Sequence, residues 1–342
     1  MEEKYAYFTM ILATFLYALQ PVVLKKTKVT FIYQIICLCL GLLIPSSLVI
    51  LYYNSKLEPD KRFNFIDLIK NKNRLLYGIL LTIFYFTCTH GFKELPITIS
   101  LPIFMLFPVS LLITERIINK VQIQYTKIIG SIVTIIGVIT VCYSKVKVKF
   151  NPYSILIMII GTFCFGTGYT LLKVEPGREL LIEDSKKMIE YEDKLDGDFM
   201  KANIDLIQTS FIPLIFSVLI LILIQNKSFK NIKKYINNEK FNLSSFLKLL
   251  IISLSLSYSY NLLYFESYNN MDPIIYGVLE NCEVIFSLFI GYFILNEKMN
   301  INKIMGTFLI IGGILFNILS DKYTNDNDND NDNDNDKHKI KR

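Results

Sequence analysis

The segment KIMGTFLIIGG at residues 303–313 has a counterpart in KIIGSIVTIIG at residues 127–137, displaced by 176 residues. A lysine, two isoleucines and two glycines coincide when the two segments are superposed. A second pair, ATFLYALQPVVLK at 13–25 and GTFCFGTGYTLLK at 161–173, aligns with a shift of 148 residues. Two matches in the same order between apolar segments indicate that the chain consists of two related halves.

The composition of both halves is typical of a membrane protein. Hydrophobic residues make up 52% of the 342 residues and charged residues only 19%, whereas a soluble domain carries roughly a quarter charged residues. A run of about 20 apolar residues is long enough to cross a bilayer core, and apolar runs of this kind fill most of the chain. They lie at 5–24, 29–53, 75–92, 96–118, 125–144, 152–172, 204–225, 246–267, 272–295 and 301–319.

Five runs in each half is an odd number, so the second copy must enter the membrane from the opposite side. Inverted repeats of this kind are the architecture of many secondary transporters. We therefore predict an all-α integral membrane protein with ten transmembrane helices, arranged as two inverted five-helix repeats. The first repeat would occupy residues 1–149 and the second residues 150–320, with a charged insert at 175–201. The Asn-Asp tail with its basic end, residues 321–342, cannot bury a core and is predicted to be disordered.

Four glycines mark the matched segments of the two halves. Gly130 and Gly137 are seven residues apart, which is two turns along one helix face, and Gly306 and Gly313 repeat the spacing. Small residues on one face let the backbones of membrane helices approach closely. These glycines are therefore predicted to pack helices against each other.

Two carboxylates lie inside the apolar run VLENCEVIFSLFIGYFILNEKMN at residues 278–300. Glu280 and Glu283 are three residues apart and so share a helix face, although a charge at the bilayer centre costs roughly 3 kcal/mol. Two interpretations stay open: a buried structural pair, or a pair that lines a cavity and binds a cationic group or carries a proton. Glu297, beside Lys298 at the end of the run, is predicted to be an interfacial residue or a structural cap.

Further polar residues are candidates for lining a substrate site. Under the 176-residue shift Tyr85 aligns with Asn261, and both lie within apolar runs. Under the 148-residue shift, Gln20-Pro21 and Gly168-Tyr169 occupy corresponding positions, although the residues differ. Gln20 and Tyr169 could therefore both face a central cavity. Lys25 and Lys173 end the same two runs. They either extend to the membrane interface or attract an anion at the two mouths of the cavity.

Taken together, these motifs resemble the EamA-like branch of the drug/metabolite transporter superfamily. Asn296-Glu297, Gly306 and Gly313 keep the spacing of the second repeat of that family, and Glu280 falls where the family often has the glutamate of a Glu-Pro pair. In the first repeat, ELPITISLPIFMLFPVSLLITERI resembles the corresponding segment, with Val121 where the family has a glutamate. The resemblance implies two five-helix repeats with both termini in the cytoplasm, in line with a slight excess of Lys and Arg on that side.

The function predicted from these features is that of a secondary carrier, which would move a small polar metabolite across a lipid bilayer by alternating access. Proton coupling would run through Glu280, and the carrier would act as a monomer or homodimer. A non-transporting receptor or structural protein on the same fold stays open as an alternative. An intramembrane enzyme is a weaker alternative, because His90 and His338 cannot build a metal site, and we expect neither metal nor cofactor. The basic residues lie at helix ends and in loops, which gives no indication of a nucleic-acid partner.

Overall fold

The described part of the chain is helical and contains no strand. The structure, a computed structural model, describes residues 3–27, 29–56, 62–63, 70, 72–118, 120, 123, 125–143, 152–173, 194–225, 242–269, 279 and 282–316. Its first six helices are α1 (Glu3–Lys26), α2 (Phe31–Lys56), α3 (Lys72–Glu94), α4 (Ile97–Phe104), α5 (Phe107–Ile118) and α6 (Tyr125–Cys142). The next six are α7 (Pro152–Lys173), α8 (Lys194–Gln225), α9 (Leu243–Ile252), α10 (Tyr258–Asn269), α11 (Cys282–Phe293) and α12 (Ile301–Phe316).

Within these described residues, seven helical segments are long and apolar enough to cross a membrane. They are Tyr7–Lys26, Phe31–Lys56, Lys72–Glu94, Ile97–Ile118, Tyr125–Cys142, Ala202–Leu223 and Leu243–Leu263. Shorter apolar stretches follow at Pro152–Gly168, Cys282–Phe293 and Ile301–Phe316. The predicted all-helical membrane fold is thereby confirmed at the level of its class. The predicted tail at 321–342 lies outside the described residues.

The segment between Ile97 and Ile118 is a broken helix at the centre of the bundle. Every residue of α4 is buried, including the two polar ones, Thr98 and Ser100. Met105 and Leu106 interrupt the helix, and Pro108 stands in the first turn of α5, where a missing N–H costs little. The sequence predicts one continuous run at 96–118, whereas the structure divides it, because the two prolines at 102 and 108 remove backbone donors on either side of the break.

Two further differences from the predicted runs concern the later helices. The helix α8 begins at Lys194, ten residues before the predicted run and inside the charged insert, because Met200 and Ile207 pack against Ile50 of α2. Residues 174–193 lie outside the described part. Between α9 and α10 the helix widens into a π-helical turn, Ser253–Ser257. There α2 approaches closely, since a Cβ on Gly41 would lie 2.7 Å from the carbonyl carbon of Ser253.

Helices from the two ends of the chain are interleaved. The most extensive packing joins α3 to α7 and α2 to α8, followed by α1 to α10 and α5 to α7. The helix α1 also packs against α11. Each of these pairs joins a helix before residue 150 to one after it, so the bundle is one packed unit.

The four glycines of the matched segments lie where α6 crosses α12. A Cβ on Gly313 would lie 2.5 Å from the backbone oxygen of Gly130, and a Cβ on Gly137 would lie 2.7 Å from the backbone oxygen of Gly306. Any side chain at these positions would collide with backbone, which cannot move aside as a flexible side chain can. The crossing distance between the two helices therefore depends on these glycines.

Two turns contain a residue other than glycine with positive φ. Lys120, just after α5, has a φ of 54°, and Asn296, just after α11, has a φ of 52°. The two positions are separated by 176 residues, which is the shift that superposes the glycine segments. The two turns therefore share this feature of the local backbone.

Candidate substrate site

The carboxylate of Glu283 lies inside the bundle. Glu283 occupies the first turn of α11 and is 4% exposed. It precedes the end of α11 by ten residues, which at 1.5 Å per residue is about 15 Å, half of a hydrocarbon core of about 30 Å. The structure thus buries an acidic group inside a bundle of apolar helices, and an ionisable residue in such a setting is a functional candidate by default.

Residues of α1 and α10 form a polar contact beside this carboxylate. The hydroxyl of Tyr260 donates a hydrogen bond to Oε1 of Gln20 over 3.0 Å, and both side chains are buried. The ring of Tyr17 meets that of Tyr260 edge-on with centroids 5.0 Å apart. Glu283 lies within electrostatic reach of both tyrosines. We call these four residues, Tyr17, Gln20, Tyr260 and Glu283, the Glu283 site.

Aromatic rings continue from this site towards α3 and α7. The ring of Phe104 lies 6.1 Å from that of Tyr17, and it contacts Phe84 and Phe165 at 5.7 Å each. The rings of Phe84 and Phe165 stack at 4.4 Å. Phe104 is the last residue of α4, so the break in the central helix lies beside the aromatic cluster. An acidic group next to aromatic faces is an environment that suits a cationic or amphipathic ligand.

The predicted site residues are distributed unevenly around this arrangement. The structure brings Gln20 and Glu283 together in the Glu283 site, and Tyr85 of α3 lies within electrostatic reach of Tyr17. The amide of Asn261 donates to the backbone oxygen of Ser257 over 2.8 Å, which ties it to the π-helical turn. Glu280 lies outside the described residues. Tyr169 and Lys173 belong to α7, but their side chains lie outside the described part.

Sequence reasoning missed two members of the site. Tyr17 precedes Gln20 by three residues and so shares its helix face, a signal that could have identified it. Taken individually in the sequence, Tyr258 and Tyr260 are predicted to be packing or interface residues, and Tyr260 does pack against Tyr17. Both hydroxyls also bind residues of other helices, since Tyr258 donates to Oδ1 of Asn203 over 3.0 Å and Tyr260 donates to Gln20. Their partners are 55 and 240 residues away along the chain, so no local pattern indicates them.

A second polar cluster lies at one end of the bundle, around Glu297. Oε1 of Glu297 accepts from the backbone N–H of Ile97 over 2.6 Å. Oε2 accepts from the backbone N–H and from the hydroxyl of Thr98, over 3.1 Å and 2.6 Å. The carboxylate thus caps the N-terminus of α4, whose first N–H groups have no partner within the helix. Of the two predicted roles of Glu297, interfacial residue or structural cap, these hydrogen bonds support the cap, and the helix it caps is 200 residues away.

Two lysines complete this cluster. Nζ of Lys25, at the end of α1, lies 3.4 Å from Oε1 of Glu297. Nζ of Lys303, in the first turn of α12, donates to the hydroxyl of Thr98 and, over 3.0 Å, to the backbone oxygen of Lys298. Lys303 is only 1% exposed. We call Glu297, Thr98, Lys25 and Lys303 the Glu297 cluster. Of the two interpretations of Lys25, extension to the interface or attraction of an anion, neither includes this ion pair.

The geometry of membrane-length helices around a buried acidic site defines a multi-pass integral membrane protein. The model of the EamA-like transporter family matches residues 4–143 and 197–319, so the chain belongs to that family. The resemblance noted in the sequence is confirmed, and with it the class of membrane transporter of the drug/metabolite type. Membership of this family implies a transporter in a lipid bilayer that acts on a small molecule.

Comparison with structures supports the fold alone. One similar solved structure bears only the words "Crystal structure of protein" as its name. It shares 11% sequence identity and a TM-score of 0.53, and the match covers 94% of this chain and 98% of that one. No curated protein matches the chain. Among the described residues, no group of His, Cys, Asp and Glu side chains could hold a metal ion.

Proposed function

We propose that the protein is a secondary carrier made of two inverted five-helix repeats, which moves a small metabolite bearing a cationic amino group by alternating access. The observation that carries the proposal is the Glu283 site: a buried carboxylate near two tyrosines of other helices, one of which donates a hydrogen bond to Gln20. In transporters with inverted repeats the substrate binds near the midplane, where the two copies meet. Tyr17 and Gln20 come from the first half of the chain, and Tyr260 and Glu283 come from the second.

The helix pairings support the two-repeat architecture. If the repeats are exchanged, α3 takes the place of α10 and α7 takes the place of α1. The α3–α7 pair then becomes the α10–α1 pair, and both are packed in the structure. In the same way the α5–α7 pair becomes the α11–α1 pair. The α2–α8 pair becomes itself, as expected for elements on a two-fold axis.

The glycine crossing supports the same symmetry. Exchange of the repeats turns Gly130 into Gly306 and Gly313 into Gly137. The contact between Gly130 and Gly313 therefore becomes the contact between Gly306 and Gly137, and both are present. Such self-complementary contact is the property of an isologous interface. Two halves related in this way can exchange conformations, and the exchange would expose the central site first to one side and then to the other.

The first test is ligand binding by the purified full-length protein. A ligand that binds the folded state raises its thermal stability according to occupancy. We expect primary amines and amino acids to raise the unfolding midpoint, and Glu283→Gln to weaken their binding at least about tenfold. Glu115→Gln, which removes a carboxylate at the end of α5, is the matched control and should bind normally. If only phosphorylated metabolites stabilise the protein, the proposal of a cationic substrate is wrong, and Lys25 and Lys173 become the candidates for binding an anionic one.

The second test is transport in liposomes, which separates a carrier from a non-transporting receptor. Uptake of the stabilising amine should respond to a pH gradient if a carboxylate carries the coupled proton. Glu280→Gln should abolish that response while the protein stays folded. Uptake that keeps the same pH dependence in this variant would overturn the assignment of Glu280 to proton coupling. Binding without any uptake would favour the receptor.

A further inference from the structure

We propose that the Glu297 cluster is the gate that closes one end of the carrier, and that Glu297 must release α4 before that end can open. The inference rests on alternating access as the proposed function. It assigns the closed end to four named side chains, and it predicts which end of the carrier is closed at rest.

The cluster joins the two halves of the chain at a single point. Thr98 and Lys25 come from the first half, and Glu297 and Lys303 come from the second. All four lie at the same end of the bundle, where α1 and α11 end and where α4 and α12 begin. A motion that separates the halves at this end must break the hydrogen bonds between Glu297 and Thr98.

The bonds of the cluster are strong in a dry setting and replaceable in a wet one. Hydrogen bonds to an ionised carboxylate are about twice as strong as neutral ones, and three donors of α4 share the two oxygens of Glu297. A carboxylate taken out of water without these partners would carry a large desolvation cost. Water that enters an opened cavity could solvate the carboxylate and the lysines instead. The cluster is therefore stable when its side chains bind each other away from water, and it is stable when the end is open and water solvates them. A partly separated cluster would have neither set of partners.

The turn after α11 is shaped to hold the carboxylate against α4. The backbone N–H of Glu297 donates to the oxygen of Gly291 over 2.8 Å. A Cβ on Gly291 would lie 2.6 Å from Cγ2 of Thr98, so this glycine allows α11 to reach the start of α4. The Glu283 site lies about 15 Å deeper along α11. The cluster thus separates the substrate site from one face of the membrane.

The repeat relation provides no equivalent carboxylate for the other end. The 148- and 176-residue shifts place Lys173 and Lys127 where Lys25 and Lys303 stand, but they place Val121 where Glu297 stands. Val121 itself lies outside the described residues. Because a valine side chain cannot accept the hydrogen bonds that Glu297 accepts, we expect the free protein to rest closed at the Glu297 end and open at the other.

Hydrogen exchange of the full-length protein in lipid nanodiscs tests this without a substrate. In Glu297→Gln, the amides of Ile97 and Thr98 should exchange roughly tenfold faster or more, since they lose a charged acceptor. The amides of residues 115–118 and 125–127, at the opposite end, should exchange more slowly, because closing one end accompanies opening the other. Glu94→Gln is the matched control, because it removes an exposed carboxylate that also acts on the charge of Lys25 but does not accept from the N–H groups of Ile97 and Thr98; it should change neither region.

A cap without a gating role gives a different result. Faster exchange at residues 97 and 98 with no slowing at the opposite end would overturn the gate. If Glu297→Gln fails to fold, Thr98→Val serves instead, because it keeps the backbone bonds to Glu297 and removes the hydroxyl. If exchange becomes faster at residues 97 and 98 and slower at the opposite end, but the protein transports nothing, the proposed carrier function is wrong and the cluster is a conformational switch. If the protein transports a substrate but the exchange rates at the two ends do not change in opposite directions, the proposed gate is wrong and the carrier function stands.

Discussion

The turn after α5 and the turn after α11 share a backbone feature and differ in chemistry. Lys120 and Asn296 both adopt positive φ, at 54° and 52°, although neither is a glycine. The next residue is Val121 in the first turn and Glu297 in the second. The carboxylate of Glu297 binds α4 of the other half, and a valine cannot make such a bond. A related backbone in the two halves therefore does not imply a related function, and one residue makes the two ends of the bundle unequal.

The largest expected effect concerns the crossing of α6 and α12, where the two halves of the chain pack closely through their glycines. Gly313→Leu should lower the free energy of unfolding by about 3 kcal/mol, because its side chain would enter the backbone of Gly130. Gly312→Leu is the matched control, since nothing lies within 4 Å of a Cβ there. The midpoint of thermal unfolding in detergent measures both. Equal stability of the two variants would contradict the close crossing.

Lysines at equivalent positions should differ in what they contribute. Lys303 is 1% exposed and bonded to Thr98, whereas Lys127 at the start of α6 is only half-buried. Lys303→Met should lower the free energy of unfolding by about 2 kcal/mol, as expected for lost hydrogen bonds of a charged group. Lys127→Met should cost less than about 1 kcal/mol. Thermal unfolding of both variants measures the difference, and a larger loss from Lys127→Met would reverse the order of the two ends.

A carboxylate at position 121, where the repeat equivalent of Glu297 is a valine, should reduce the difference in stability between the two closed ends. Val121→Glu should shift the balance between the two closed forms by about 1 kcal/mol, the value of a partly exposed ion pair. Hydrogen exchange at Ile97 and Thr98 should then become roughly fivefold faster, because the Glu297 end is closed for less of the time. Val121→Gln, similar in size and uncharged, should not have this effect. An identical exchange rate in both variants would show that charge at this turn does not set the resting state.

The smallest effect concerns the shared backbone itself. A left-handed conformation costs an ordinary residue roughly 1–2 kcal/mol, while asparagine adopts it more readily. Lys120→Gly should therefore stabilise the protein by about 0.5 kcal/mol after the extra entropy of glycine in the unfolded chain is subtracted. Asn296→Gly should be close to neutral. A larger gain from Asn296→Gly in thermal unfolding would mean that the two turns differ in strain.

The hydrophobic pattern of the sequence predicted the positions of most of the helices. The predicted run at 152–172 corresponds to Pro152–Lys173, and the run at 125–144 to Tyr125–Cys142. Hydrophobicity and length decide these positions, and both can be read within one segment. The buried position of Glu283 follows from the same reasoning, because a carboxylate deep in an apolar run has to face the inside of the bundle.

The contacts that give the protein its chemistry could not be predicted in this way. Glu297 binds the start of α4 and Tyr260 binds Gln20, and the partners are 200 and 240 residues apart. These contacts are set by how the helices pack, and the residues next to them in the chain carry no sign of it. The early start of α8 at Lys194 has the same origin, since the packing of Met200 near Ile50 extends this helix into a charged stretch.

The π-helical turn at Ser253–Ser257 has a consequence for how the substrate site is specified. Such a turn holds one residue more than an α-helical turn, so the side chains that follow it, at residues 258–263, are rotated by about 100° from where a regular helix would place them. At that rotation Tyr260 reaches Gln20 and Tyr258 reaches Asn203. The site is thus encoded by the number of residues before it as well as by their identity. A one-residue deletion at this turn would keep the helix apolar and long enough for the membrane while turning its polar side chains to a different neighbour.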